Sequence, residues 1–222
     1  CNPGTLDHEK LRVMQSAGVN RLSFGVQAMQ DSLLEGIGRG YKCDDARRCL
    51  DLARQTGVQN INIDLIFALP GQTLEQWQQT LETIIWLSPE HISTYNLTLS
   101  YGTQFYDWWE NGDLKLAEND LEAKMYQYAI TRLTDAGYQH YEISNLCRSG
   151  FPSRHTVGYW QGHSYLGIGA GSHSYASTPG WGWRGVHFTH PTPYRDAGFS
   201  GPRPAADRCS DADGGADKVA NL

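Results

Sequence analysis

The run from Asn60 to Thr73, Asn-Ile-Asn-Ile-Asp-Leu-Ile-Phe-Ala-Leu-Pro-Gly-Gln-Thr, constrains the fold more than any other segment. It predicts a buried strand, a tight Pro-Gly turn and the capped start of a helix. Because side chains alternate along a strand, Asn62 and Asp64 share one face and the apolar residues fall on the other. A parallel strand covered on both sides should be apolar throughout, so this polar inner face predicts a ligand in the interior.

Three junctions predict an α/β architecture. In each, a helical pattern ends at a glycine (Gly18, Gly57 or Gly137) and a strand pattern follows. Glycine suits the left-handed position after a helix, and repeated helix–glycine–strand units favour parallel strands. The predicted helices cover residues 7–17, 44–56, 74–87 and 120–136, and the predicted strands cover residues 21–27, 60–67, 91–99 and 140–143.

The three best strands each carry one face of mostly small and polar side chains. A closed eight-stranded barrel fills its interior with branched apolar residues, so these faces predict an open or partial barrel whose lumen holds a polar ligand. The alternative is a sheet with one solvated face, which the helical connections disfavour. The predicted faces contain Arg21, Ser23, Gly25 and Gln27 in the first strand, Asn62 and Asp64 in the second, and Ile92, Thr94, Asn96 and Thr98 in the third.

The character of the sequence changes after residue 143. Residues 1–143 predict the barrel part, and residues 144–194 predict a loop and a segment rich in glycine and aromatic residues that leads into a smaller domain. Residues 195–222 lose apolar periodicity and predict a disordered or aberrant tail. The absence of an initiating methionine favours a fragment whose N-terminal part is missing.

Composition excludes several classes of protein. A net charge of −6 argues against a non-specific nucleic-acid binder, and no apolar run is long enough for a transmembrane segment. Five scattered cysteines without CxxC spacing, and no signal peptide, favour a reducing, cytoplasmic location rather than a disulfide framework. The sequence carries no signal for an oligomeric state.

Three polar residues predict a binding site near the ends of the strands. Asp64 lies where parallel α/β folds place ligand-binding groups, and its carboxylate can accept hydrogen bonds from two vicinal ribose hydroxyls. Gln27 offers a donor and an acceptor at the same rim, and Arg39 can reach an anionic group. The alternatives are a capping role for Asp64 and structural or solvated roles for Gln27 and Arg39.

A second group of candidates follows residue 154. His155 precedes Tyr159 and Trp160, and a loop histidine beside two aromatic residues can be an axial ligand of a haem-like ring. On the residues alone, a hydrogen-bonded structural histidine is favoured over this ligand. The alternating glycines at 167, 169 and 171 do not match a dinucleotide fingerprint, and the sequence contains no GxSxG, Walker A or HExxH motif.

Taken together, these motifs resemble the radical S-adenosylmethionine family that contains oxygen-independent coproporphyrinogen dehydrogenase, and within it the HemW-type haem chaperones. The resemblance covers about residues 1–194 and implies part of a (β/α)6 barrel followed by a smaller C-terminal domain. The segments that carry it are residues 2–6, 21–27, 38–39, 62–73, 141–145 and 169–175.

The resemblance implies two cofactors, S-adenosylmethionine and a 4Fe–4S cluster. Gln27, Arg39, Asp64 and Thr98 match positions that contact S-adenosylmethionine in the family. The three cluster cysteines of the family, spaced CxxxCxxC, lie upstream of this chain, and none of its own five cysteines matches them. The resemblance therefore predicts a cluster in the full-length parent only, and a chain that is catalytically incompetent by itself.

In the chaperone subgroup, a His-Asn-x-x-Tyr-Trp motif is associated with haem. This chain keeps His155, Tyr159 and Trp160 but has Thr156 at the Asn position. With the resemblance, haem binding with His155 as the iron ligand becomes the favoured interpretation of this motif.

Three functions remain open at this point. The first is a haem chaperone that binds haem and S-adenosylmethionine and transfers haem to acceptor proteins. The second is an enzyme that oxidatively decarboxylates the propionates of coproporphyrinogen III to vinyl groups. The third is an inert gene fragment.

Overall fold

A computed structural model describes residues 1–169, 171–177 and 185–189. The chain divides into two compact units, Cys1–Val157 and Gly158–Leu222. The predicted tail at residues 195–222 lies outside the described residues, as do residues 190–194 of the segment before it. The predicted domain boundary at residue 143 stays a prediction.

The first unit is built on a mixed five-stranded sheet in the order β1-β2-β3-β5-β4. The first three strands run parallel, whereas β5 is antiparallel to both β3 and β4. This arrangement confirms the predicted α/β class. The strands are β1 (Leu22–Gln27), β2 (Ile61–Phe67), β3 (His91–Asn96), β4 (Gln139–His140) and β5 (Asn145–Cys147).

Several helices begin or end where the sequence supplies a start or stop signal. Thr73 caps the helix that follows β2 and forms the predicted capping box with Gln76. Gly18, Gly57 and Gly137 have φ angles of +86°, +88° and +86°, the left-handed conformation predicted after three helices. The helices are α1 (His8–Ser16), α2 (Asp31–Gly36), α3 (Cys43–Gln55), α4 (Leu74–Leu87), α5 (Gln104–Glu110), α6 (Asn119–Asp135) and α7 (Arg154–Trp160).

The main core lies between the apolar face of the sheet and helices α1, α3, α4 and α6. The indole Nε1 of Trp77 on α4 donates to the Met125 carbonyl on α6 at 2.9 Å, so the largest buried side chain also has its polar atom paired. Arg132 on α6 binds both carboxylate oxygens of Glu82 on α4, at 2.6 and 2.8 Å. These contacts cover one face of the sheet and leave the other face to the polar side chains.

Most predicted elements are confirmed to within a few residues, but short ones were missed. The predicted loop at the start of residues 144–194 contains β5 and the start of α7. The strand predicted at residues 140–143 shrinks to β4, because the chain turns back over residues 141–144 to place β5 beside β3. The short helices α2 and α5 carry too few turns for an apolar period to be visible.

The face predicted for the third strand is wrong by one residue. Backbone pairing sets Asn62 opposite His91 and Asp64 opposite Ser93, so His91 and Ser93 share the polar face. Ile92 packs in the main core instead. By the same register, Tyr95 lies on the polar face. Asn96 faces α6, where its Nδ2 donates to Glu122 at 3.0 Å.

The second unit contains a two-stranded antiparallel sheet of β6 (His173–Ser177) and β7 (Gly185–Thr189). Tyr165 forms an isolated backbone bridge with Tyr175, and their rings stack at 5.9 Å. The ring of Tyr159 meets Tyr165 edge-on at 4.6 Å. At Gly167 a Cβ would collide with the His173 carbonyl, so only glycine fits this approach.

Candidate functional site

Asp64 is held on the polar face of the sheet by two neighbouring side chains. The Ser23 hydroxyl donates to Asp64 Oδ2 at 2.7 Å, and Asn62 Nδ2 donates to Asp64 Oδ1 at 2.8 Å. The same Asn62 nitrogen also donates to Ser23 Oγ at 2.7 Å. Asp64 remains partly exposed, and each carboxylate oxygen keeps a lone pair for a further donor. The predicted ribose-binding group is thus oriented and still accessible.

A buried histidine continues this network across β3. His91 Nδ1 lies 2.5 Å from Asn62 Oδ1, and His91 Nε2 lies 2.7 Å from the Tyr141 hydroxyl. The Ser93 hydroxyl also donates to Asn62 Oδ1, at 3.2 Å. Burial, and then the nearby positive charge of Arg21, lowers the pKa of His91 to about 3, so its imidazole is neutral at physiological pH.

Gln27 is placed by an irregularity at the end of β1. The register between β1 and β2 shifts between Gly25 and Gln27, and Gln27 adopts a φ of +67°. The hydroxyl of Tyr41 donates to the Gly25 carbonyl at 2.5 Å and holds this bend. A Cβ on Gly25 would lie 2.8 Å from Gln27 Nε2, so glycine makes room for the amide. The bend sets the position of the Gln27 amide at the end of β1, and its role as a ligand contact stays a prediction.

Arg39 and the N-terminal segment approach the same strand end. Arg39 Nη1 donates to Asn2 Oδ1 at 3.4 Å, and this oxygen would lie 3.3 Å from a Cβ on Gly25. The Cys1 backbone pairs with β1 through Ser23 and Gly25, which fixes Asn2 beside the strand. Of the predicted residues, Gln27 thus lies at the end of β1, Asp64 lies in the middle of the neighbouring β2, and Arg39 lies in the segment between α2 and α3.

Thr98 is placed differently from the other predicted contacts. It follows the last residue of β3 by two positions and is exposed. Its contact with S-adenosylmethionine therefore stays a prediction that rests on the resemblance alone.

The predicted haem residues lie on a helix and not in a loop. Ser153 precedes α7, and its hydroxyl accepts from the backbone N–H of Thr156 at 3.3 Å. His155 is in the first turn and is exposed, while Trp160 at the helix end is 48% exposed. His155 and Tyr159 are four residues apart in α7, but they belong to different compact units.

The described residues include the free cysteines Cys1, Cys43, Cys49 and Cys147. No group of three His, Cys, Asp or Glu side chains suited to a metal ion occurs among those residues. Burial, together with the carboxylate of Asp31, raises the pKa of the Cys43 thiol to about 12, and burial also raises the pKa of Cys147. The ligands of the 4Fe–4S cluster therefore stay a prediction that rests on the resemblance.

Sequence reasoning missed His91, Ser93, Tyr95 and Tyr141 as members of the polar face. The first three lie on the face of β3 opposite to the predicted one, because the predicted face is one residue out of register. His91 is the first residue of this strand. Tyr141 belongs to a segment that carries the family resemblance, but its partner His91 is 50 positions away along the chain. Neither residue carries a local sequence signal for this contact.

Comparison with known proteins extends these observations. The Radical SAM superfamily description matches residues 1–84. Over 175 residues the chain is 43% identical to "Heme chaperone HemW" of Bacillus subtilis, covering 79% of this chain and 46% of that protein. It is 38% identical over 172 residues to the mitochondrial "Radical S-adenosyl methionine domain-containing protein 1" of Danio rerio, covering 78% and 39%.

The fold comparison agrees with the sequence comparison. The chain superposes on the Escherichia coli coproporphyrinogen III oxidase HemN, described as a radical SAM enzyme, with a TM-score of 0.63 and 25% identity. The match covers 78% of this chain and 42% of HemN. The chain therefore spans less than half the length of these relatives. Separately, no helix in the described part of the chain is long and apolar enough to cross a membrane. The chain is thus similar to the Radical SAM superfamily over residues 1–84 and, over most of its length, to relatives that include proteins named heme chaperone HemW.

Proposed function

We propose that this chain supplies the S-adenosylmethionine and haem sites of a haem chaperone that transfers haem to acceptor proteins. The observation that carries the proposal is the oriented Asp64 carboxylate beside Gln27 and Arg39, in a chain whose relatives include proteins named heme chaperone HemW. The motif His155, Tyr159 and Trp160 supports the haem part.

Each polar residue has a role that its geometry allows. Asp64 keeps acceptor capacity on both oxygens and would take the two ribose hydroxyls. Gln27 would place its amide against the nucleoside, and Arg39 would pair with the methionine carboxylate. A radical SAM domain implies S-adenosylmethionine and a 4Fe–4S cluster, which together supply radical chemistry when both are bound.

Haem binding is proposed at α7. His155 is exposed in the first turn, and a histidine imidazole can be an axial ligand of haem iron. Trp160, nearly half exposed, offers an apolar face to a porphyrin ring. A cytoplasmic location, which the scattered cysteines favour, is part of the same proposal.

Haem titration of this chain, followed by Soret absorbance under reducing conditions, tests the haem part. We expect saturable binding that His155→Ala abolishes and His8→Ala, which removes another exposed histidine, leaves unchanged. Binding that is insensitive to His155→Ala would contradict ligation by His155, and no binding would contradict the haem site itself.

Calorimetric titration with S-adenosylmethionine tests the other half. Asp64→Asn keeps the size of the side chain but removes the charge that two hydroxyls can share. We expect at least a tenfold weaker Kd, about 1.4 kcal/mol, because hydrogen bonds to charged groups contribute about 1.5–3 kcal/mol. An unchanged Kd would contradict the assignment of Asp64 to the ribose.

A second candidate function is the oxidative decarboxylation of coproporphyrinogen III, which the likeness to HemN favours. Anaerobic incubation of the full-length protein with coproporphyrinogen III distinguishes the two. Formation of vinyl product would favour the enzyme, and its absence together with haem transfer to an acceptor would favour the chaperone.

A further inference from the structure

We infer that Asn62, His91 and Tyr141 are positioning residues that hold the Asp64 carboxylate in one orientation toward the ribose of S-adenosylmethionine. This inference rests on the proposed function and deepens it. It assigns a purpose to a buried histidine that no proposed ligand contact uses.

The first step is the direct contact with Asp64. Each carboxylate oxygen accepts one hydrogen bond, from Ser23 at 2.7 Å and from Asn62 at 2.8 Å. Two donors on two oxygens fix the plane of the carboxylate as well as its position. The outward lone pairs are therefore presented in a defined direction.

The second step is the orientation of Asn62, which is 2% exposed. Its Nδ2 faces two acceptors, Asp64 Oδ1 and Ser23 Oγ, while its Oδ1 accepts from Ser93 at 3.2 Å. A flipped amide would bring its oxygen against the Asp64 carboxylate, and this repulsion costs more at a buried amide than it would in water. The amide thus has one favourable orientation, provided that Oδ1 receives a donor from His91.

The third step is the tautomer of His91, which is completely buried. Since Asn62 Oδ1 can only accept, the neutral imidazole must carry its proton on Nδ1, 2.5 Å away. His91 Nε2 is then an acceptor and takes the hydroxyl proton of Tyr141 at 2.7 Å. The Tyr141 oxygen itself accepts from the backbone N–H of Ser153 at 3.2 Å, which directs its own proton toward His91.

Every donor in this series points the same way, from Ser153 through Tyr141, His91 and Asn62 to Asp64. A network that served only to satisfy buried polar atoms would end on a buried group. This one ends on a carboxylate that stays partly exposed on the polar face of the sheet. The convergence on an accessible anion is what favours positioning over packing.

A matched pair of tyrosine variants tests the inference. Tyr141→Phe removes the hydroxyl that orients His91, and Tyr138→Phe removes a buried hydroxyl that donates to the Pro89 carbonyl at 2.8 Å, outside the network. The Kd of this chain for S-adenosylmethionine is measured by calorimetry, and the melting temperature is recorded beside it. We expect Tyr141→Phe to weaken binding about fivefold and Tyr138→Phe to leave Kd unchanged, although both lower the melting temperature.

Two substitutions of His91 separate the donor from the bulk of the ring. His91→Asn keeps a donor near the position of Nδ1, whereas His91→Leu removes it, so we expect the Asn variant to retain more affinity. Equal Kd values for Tyr141→Phe and Tyr138→Phe, or for the two His91 variants, would overturn the positioning role and leave the proposed function intact. Failure of the unsubstituted chain to bind S-adenosylmethionine would overturn both.

Discussion

His91 should make the stability of this protein depend on pH in a window where carboxylates contribute little. The imidazole is completely buried between Asn62 and Tyr141, and its pKa falls from 6.5 to about 3. Between these two values the unfolded chain binds a proton at this site and the folded chain does not. Stability is therefore fully present above pH 6.5 and is lost as pH falls toward 3.

The size of the loss follows from the number of protons. One proton difference changes the free energy of unfolding by about 1.4 kcal/mol per pH unit once the unfolded histidine is largely charged. From pH 6.5 to pH 5, His91 should thus cost about 2 kcal/mol. That is a substantial fraction of the 5–15 kcal/mol that typically stabilises a folded domain.

Urea unfolding at pH 7.0, 6.5, 6.0, 5.5 and 5.0 measures the effect, with His91→Asn as the comparison because it does not titrate. The stability difference between the unsubstituted chain and this variant should shrink by about 2 kcal/mol from pH 7 to pH 5. His8→Asn, at an exposed site, should leave the profile parallel to that of the unsubstituted chain. A stability difference for His91→Asn that stayed constant over this range would show that His91 is protonated in the folded state, which would refute the reasoning.

Three further substitutions have defined outcomes. Gly25→Ala should displace the amide of Gln27, because the new Cβ would lie 2.8 Å from Gln27 Nε2. We expect weaker binding of S-adenosylmethionine in calorimetry. The free energy of unfolding should fall by less than about 1 kcal/mol, because the displaced atom ends a flexible side chain. Trp77→Phe leaves a cavity and removes the indole N–H that donates to the Met125 carbonyl, and urea unfolding should show a loss of about 2–4 kcal/mol. Thr73→Ala removes the N-cap of α4 and should lower the free energy of unfolding by about 1 kcal/mol without changing ligand affinity.

The parts of the fold that were predictable are those whose signals are local. The alternation in β2 fixed its inner face correctly, because Ile61, Ile63 and Leu65 must all meet the helices. The capping box at Thr73 likewise located the start of α4 to the residue. Such signals lie within a few positions of the feature that they determine.

The features of the fold that the sequence did not predict depend on contacts with residues that are distant along the chain. The face of β3 is decided by its pairing with β2, and a strand that reads Ile-Ser-Thr-Tyr-Asn offers polar side chains on both faces. The left-handed backbone of Gln27 depends on the Tyr41 hydroxyl, which lies 16 residues from Gly25. A side chain at a strand end cannot be placed until such contacts are known.

The hydrogen bond from Ser153 to Tyr141 has a mechanical consequence for α7. The hydroxyl of Ser153 caps this helix, and the backbone N–H of Ser153 donates to the Tyr141 hydroxyl at 3.2 Å. The same Tyr141 hydroxyl forms a hydrogen bond with the buried His91. Lifting the first turn, which carries His155, away from the sheet would require this tether to break or Tyr141 to follow. The start of the helix is therefore fixed to the sheet through Tyr141 and His91.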